Sequence, residues 1–209
     1  MIERAVADPH PQVRLWGVSV LAQLDWPDTV PLAMRALEAG EVDVFLDFAL
    51  WSICREHADR WVSRAETGTV FANLRQLQFA GRALKQAVGI GAVIRALGAG
   101  ELGGAELTGA IDWIANVGDP DHLEALFELA LEEGAAAERQ AMVLKGLGEA
   151  VRLRKQQPAG DRNRLVRFLN AKEDAVFAAA AVLAGQWKLE PARGALEKAF
   201  LSADREAAR

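Results

Sequence analysis

Narrow apolar stripes at helical spacing recur along this sequence, and they constrain its fold more than any other feature. Leu107, Ala110, Ile111, Ile114 and Ala115 fall at positions i, i+3, i+4, i+7 and i+8. Three further segments repeat this spacing: Leu46, Ala49, Leu50, Ile53 and Cys54; Leu123, Leu126, Phe127, Ala130 and Leu131; and Ala192, Ala195, Leu196, Ala199 and Phe200. Each stripe lies on one face of an α-helix and must pack against a neighbour. No comparable segment alternates apolar and polar residues, so the sequence predicts an all-α fold.

Helix-ending and helix-starting residues lie close together between these stripes. Gly118 can end a helix in the left-handed conformation, and Asp119 can cap the next helix with Pro120 at its first position. Pro191 can take the same first-turn position after Glu190. Because the connections are short, successive helices are expected to form antiparallel hairpins.

The helical segments recur at a roughly constant interval. The first helices of six candidate pairs begin near Val13, Phe45, Phe71, Glu106, Arg139 and Ala175. Their starts are 26 to 36 residues apart, and a hairpin that buries only one face is stable only when stacked on others. We therefore predict an α-solenoid of about five to six antiparallel helical hairpins, with 1–209 as one repeat domain. Looser connections are expected near 63–69 and 98–104. In the second pair, one long helix is expected to about Trp61.

Composition and charge limit the classes of partner and of cellular location that the sequence predicts. The chain has 209 residues, 51% of them hydrophobic, and a formal net charge of -5. This charge does not favour free nucleic acid as a partner, since phosphate binding needs a positive surface. The N-terminal residues MIERAVADPHPQ lack the apolar run of a signal peptide, and no run reaches the length of a membrane span.

Residue types that could support chemistry are few. Cys54 is the only cysteine, and the three histidines, His10, His57 and His122, lie far apart without metal-ligand spacing. We interpret His57 as a hydrogen-bonded structural histidine, Cys54 as a buried inert thiol, and Asp121 with His122 as first-turn helix residues. The glycines between 98 and 104 are typical of a connection between hairpins. The sequence therefore predicts no cofactor, no metal and no catalytic residue.

The tryptophans divide into two groups. Trp16 and Trp51 lie within apolar helices and are predicted to be core residues. Trp26 lies in a turn, and Trp61 and Trp187 lie at helix ends, where each could anchor a protein partner. The alternative for these three, which we favour, is that each fills the seam between adjacent hairpins.

Charge is distributed unevenly. Between Glu101 and Arg139 the chain has ten acids and a single base, Arg139. A basic cluster follows, with Arg152, Arg154, Lys155, Arg162 and Arg164 as candidate partner-binding residues. One interpretation is a docking surface that steers a charged partner. The other, which we favour, is a solvated face with charge complementarity between repeats.

The segment DPHPQVRLWGVSVLAQLDWPDTVPLAMRALEAG resembles a HEAT repeat of the short bacterial kind. The matching residues are Asp8, Val13, Arg14, Leu21, Leu24, Val30 and Leu37. Gly17 replaces the usual alanine, which still allows close helix approach at a cost of about 1 kcal/mol in helix propensity. The resemblance implies a HEAT-like solenoid.

A narrower likeness concerns FLDFALWSICREHADRW and ANLRQLQFAGRAL. These segments resemble the HEAT region of planctomycete-type membrane-bound dehydrogenases, in which a β-propeller precedes the HEAT repeats and a haem-binding cytochrome c domain follows them. The resemblance implies a segment of a larger exported, periplasmic redox protein. The chain has no Cys-x-x-Cys-His motif, so the haem ligation of that family is assigned to no residue here.

The expected function is a non-catalytic scaffold or spacer whose partner is another protein or a neighbouring domain of the same chain. The alternative is an enzyme on a HEAT-like scaffold, such as a DNA glycosylase or a bilin lyase. Asp112 with Trp113 is the only local pair that suggests a glycosylase, and no residue constellation suggests a lyase.

Overall fold

The computed structural model describes residues 1–66, 70–84 and 86–201, and these residues form helices and connections without any strand. Twelve α-helices are present in the described part: α1 (Ile2–Val6), α2 (Pro11–Ala22), α3 (Thr29–Met34), α4 (Val44–Glu56), α5 (Ala58–Ala65), α6 (Leu74–Leu84), α7 (Ile90–Gly98), α8 (Gly104–Val117), α9 (Pro120–Leu131), α10 (Ala137–Arg154), α11 (Asp174–Trp187) and α12 (Arg193–Leu201). The described residues also contain three 3₁₀ segments: Arg35–Leu37, Arg162–Asn170 and Glu190–Ala192. The prediction of an all-α chain is confirmed for these residues.

All six predicted first helices are present, as α2, α4, α6, α8, α10 and α11. A shorter helix or 3₁₀ segment follows each of them. The second pair differs from the prediction, because the helix that begins at Val44 ends at Glu56 and a new helix, α5, starts at Ala58. The expected loop over 63–69 is also wrong in its first part, since Ser63 to Ala65 are helical; residues 67–69 lie outside the described residues.

The chain divides into two compact units, Met1–Val93 and the residues from Ile94 onward. In the first unit α2 packs on α1 and α4, and α4 packs on α6. In the second unit α10 packs on both α8 and α11. Within each unit the first helices therefore contact one another in chain order. One continuous domain over 1–209 stays a prediction.

Within each unit, hydrogen bonds join one helical pair to the pair before it. In the first unit, His57 Nε2 donates to the carbonyl oxygen of Ala22 at 3.0 Å, 35 residues earlier. Arg64 Nη1 donates to the carbonyl of Pro27 at 3.1 Å, 37 residues earlier. In the second unit, Arg167 Nη1 donates to the carbonyl of Leu131 at 2.8 Å, 36 residues earlier. These separations of 35 to 37 residues lie close to the upper end of the 26 to 36 residue interval in the sequence.

A buried arginine joins the first two pairs. Arg14 is fully buried, and its Nη1 donates to the carbonyls of Asp8 at 2.9 Å, Pro9 at 3.0 Å and Ala39 at 3.2 Å. Its Nη2 donates to the carbonyl of Glu41. The turn before α2 and the turn before α4 are thus held by one guanidinium. Gly40 lies beside this guanidinium. A glycine is needed here because φ is +140° and a Cβ would lie 3.3 Å from Arg14 Nη1.

The α8–α9 turn corrects one detail of the sequence prediction. Gly118 has φ of -62° and ψ of 141°, so it is not left-handed. The glycine is needed for close approach instead, since a Cβ at this position would lie 2.6 Å from the carbonyl oxygen of Ile114. Asp119 caps α9 as predicted, and Pro120 occupies its first position.

Candidate functional site

Helix α4 is apolar on two opposite faces. Its predicted stripe faces the core, and Leu46, Leu50, Ile53 and Cys54 are fully buried. The other face is also apolar, and its large side chains are exposed: Val44 at 73%, Phe45 at 69%, Phe48 at 66% and Trp51 at 37%. A helix in contact with the core on one side has a polar outer face in an ordinary globular protein. This outer face therefore needs an explanation other than folding.

Helix α2, which packs beside α4, has an outer face without charge. Trp16 is 62% exposed and Val20 is 47% exposed. The polar side chains on this face are neutral, from Gln12, Ser19 and Gln23. Arg14 is the only charged residue of α2, and it is buried. The exposed large side chains of both α2 and α4 are thus apolar.

A groove of about 670 Å³ separates the two helices, and we refer to it as the α2–α4 groove. Its apolar lining comes from Leu15, Val18, Ala22, Val44, Phe45, Phe48, Ala49 and Ile53. Four polar residues complete the lining: Ser19, Gln23, Ser52 and Glu56. A concave apolar lining with a few polar groups is typical of a binding site.

Aromatic side chains contact one another on the outer face of α4. The rings of Phe48 and Trp51 stack with centroids 6.1 Å apart. The guanidinium of Arg55 lies 4.6 Å from the centre of the Trp51 ring, and its Nη1 donates to the carbonyl of Ala83 at 3.1 Å. Arg55 thus links the Trp51 ring on α4 to the backbone of α6.

The tryptophan predictions are wrong for two of the five residues. Trp16 and Trp51, which we predicted to be core residues, are exposed. Trp61 is fully buried, as the seam alternative predicts, and its Nε1 donates to the carbonyl of Cys54 at 2.9 Å. Trp187 is also buried and packs edge-on against Phe127, with centroids 5.5 Å apart. Trp26 is 47% exposed, so its role as a partner anchor stays a prediction.

The basic cluster does not form one free docking surface. Arg154 Nε donates to the carbonyl of Ala115 at 3.1 Å, and its Nη2 donates to that of Gly118 at 2.5 Å. Burial lowers the pKa of Arg154, and the charge of Asp119 raises it to a smaller extent. Arg154 thus links the end of α10 to the end of α8.

The remaining bases of the cluster have local partners or cap a helix. Arg164 pairs with Glu124 and Glu128, in the latter case at 2.6 Å. Arg152 pairs with Glu149 on its own helix at 2.5 Å. Arg162 donates to the side chain of Gln157, and Lys155 is exposed as the left-handed cap of α10. The ion pairs of Arg164 agree with the favoured interpretation, in which charges are complementary between successive helical pairs.

The titratable candidates are structural. Cys54 is buried, and burial raises the pKa of its thiol to about 12. His57 is half-buried and hydrogen-bonded, as predicted. Asp119 and His122 form a capping box for α9, and hydrogen bonds from the His122 backbone and side chain lower the pKa of Asp119.

The described residues show neither a metal-binding cluster nor a cleft lined by Asp112 and Trp113. No group of three or more His, Cys, Asp or Glu residues is placed to hold a metal ion. Trp113 is buried while Asp112 is exposed, so this pair does not line a common cleft. Among the described helices, none combines the length and the apolar character needed to cross a membrane.

The exposed apolar face was missed at the sequence level, although a signal for it exists. Phe45, Phe48 and Trp51 lie off the apolar stripe of α4, and Trp16 and Val20 lie off the buried side of α2. Reading every large apolar residue of an apolar helix as core hides such a second face. The signal is that the apolar residues of α4 occupy more of the helix circumference than its neighbouring helices can cover.

Comparisons of this chain with protein families, with curated proteins and with solved structures found no match.

Proposed function

We propose that this chain is a non-catalytic protein-interaction module, an α-solenoid of antiparallel helical hairpins of the HEAT kind. The exposed outer face of α2 and α4 is its binding surface. The observation that supports it most is the second apolar face of α4, with Phe45 and Phe48 about two-thirds exposed. Exposed apolar side chains gathered in one patch mark interaction sites, whereas scattered ones are ordinary.

The architecture part of the proposal rests on two observations. First helices pack in chain order within each unit. Hydrogen bonds such as His57 to Ala22 and Arg167 to Leu131 link residues one repeat interval apart, at 35 and 36 residues. Both are expected when each hairpin leans on its predecessor. The likeness to HEAT segments of exported redox proteins adds a context, in which the partner is a neighbouring domain or a second redox protein.

Site-specific photo-crosslinking tests the binding surface. A photoreactive phenylalanine analogue replaces Phe48 in one variant and Val182, which is 62% exposed on α11, in a matched control. Irradiation in an extract of the native cells is expected to give a protein adduct at position 48 and none at position 182. The same adduct should be lost when Phe45→Ser is added. The analogue is also placed at Phe45 and at Trp51 in separate variants. The absence of an adduct at all three positions, 45, 48 and 51, would contradict the proposal.

A further inference from the structure

We draw no further inference here: the strongest candidate, the α2–α4 groove with the exposed aromatic side chains of α4 beside it, already belongs to the proposed binding surface, and nothing in the structure shows what covers it.

Discussion

Arg14 shows how a single buried charge is made tolerable in this chain. Isolated buried charges are strongly unfavourable, and a guanidinium usually pairs with a carboxylate. Arg14 instead donates to four backbone carbonyls, those of Asp8, Pro9, Ala39 and Glu41. Because these carbonyls belong to the turns before α2 and α4, the side chain satisfies groups that the turns leave without partners.

Arg14→Met should therefore destabilise the protein strongly. The variant keeps most of the apolar stem but leaves the carbonyls without their donor, which costs about 3 kcal/mol or more. Urea unfolding followed by circular dichroism measures the loss. Arg95→Met, at an exposed position of α7, is the control and should stay within about 0.5 kcal/mol of wild type. Equal midpoints for the two variants would show that the Arg14 bonds contribute nothing.

Cys54 makes a pH-dependent contribution to stability. Burial raises the pKa of its thiol from 9.0 to about 12. Between pH 9 and 12 the unfolded thiol loses its proton while the folded one keeps it. The contribution of the thiol to the free energy of unfolding is therefore complete below pH 9. It decreases as the pH rises from 9 to 12, by at most about 1.4 kcal/mol per pH unit.

The difference between wild type and Cys54→Ala isolates this effect from other groups that titrate in alkali. The stability gap between the two proteins should narrow from pH 8 to pH 10.5 in urea unfolding. At pH 8 the native thiol should also resist alkylation by iodoacetamide and react only after unfolding, since the thiolate is the nucleophile. Parallel stability curves, or rapid native alkylation, would contradict the burial of this group.

At the scale of the element, α4 separates folding from binding on one helix. Leu50 on its inner face is fully buried, whereas Phe48 on its outer face is 66% exposed. Leu50→Ala is expected to cost about 3 kcal/mol from lost packing and the cavity that remains. Phe48→Ser should change stability by less than about 0.5 kcal/mol. Thermal and urea unfolding check both, and a large loss for Phe48→Ser would mean that this side chain supports the fold.

The elements themselves were predictable because their signals are local. The six first helices follow from apolar spacing alone, and the α9 start follows from Asp119 and Pro120. The break at His57 was not predictable from spacing, because the apolar stripe of α4 continues past it. The second helix of that pair forms where Trp61 packs against Phe71, with ring centroids 5.3 Å apart, and such a contact depends on tertiary structure.

The candidate site was harder to predict than the fold. Periodicity assigns Leu46 and Leu50 to one face of α4, but it does not say which neighbour covers Phe45, Phe48 and Trp51. The same gap explains why Trp16 and Trp51 were predicted to be core residues although both are exposed. Arg154 and Arg164 are part of a basic cluster in the sequence. Their hydrogen-bond partners lie 36 to 40 residues earlier in the chain, so the sequence pattern alone does not reveal them.

At the scale of the whole molecule, packing within each unit follows chain order. A first helix packs against the second helix of its own pair and against the first helix of the next pair. In the first unit, for example, α2 packs against α3 and α4. In a stack of this kind, stability is approximately a sum of each hairpin and its interfaces with its neighbours. A closed core behaves differently, because damage at one position spreads through all the elements that share it.

Hydrogen exchange distinguishes the two behaviours. In Leu50→Ala, amide exchange should accelerate in α2, α4 and α6, because these helices share the damaged interfaces, and stay near wild type in α10 and α11. Leu144→Ala, at a fully buried position of α10, is the reciprocal variant and should accelerate exchange in α8, α10 and α11 while sparing α2 and α4. If either substitution raised exchange uniformly along the chain, one cooperative core would replace the stack, and the apolar face of α2 and α4 would lose its repeat framework.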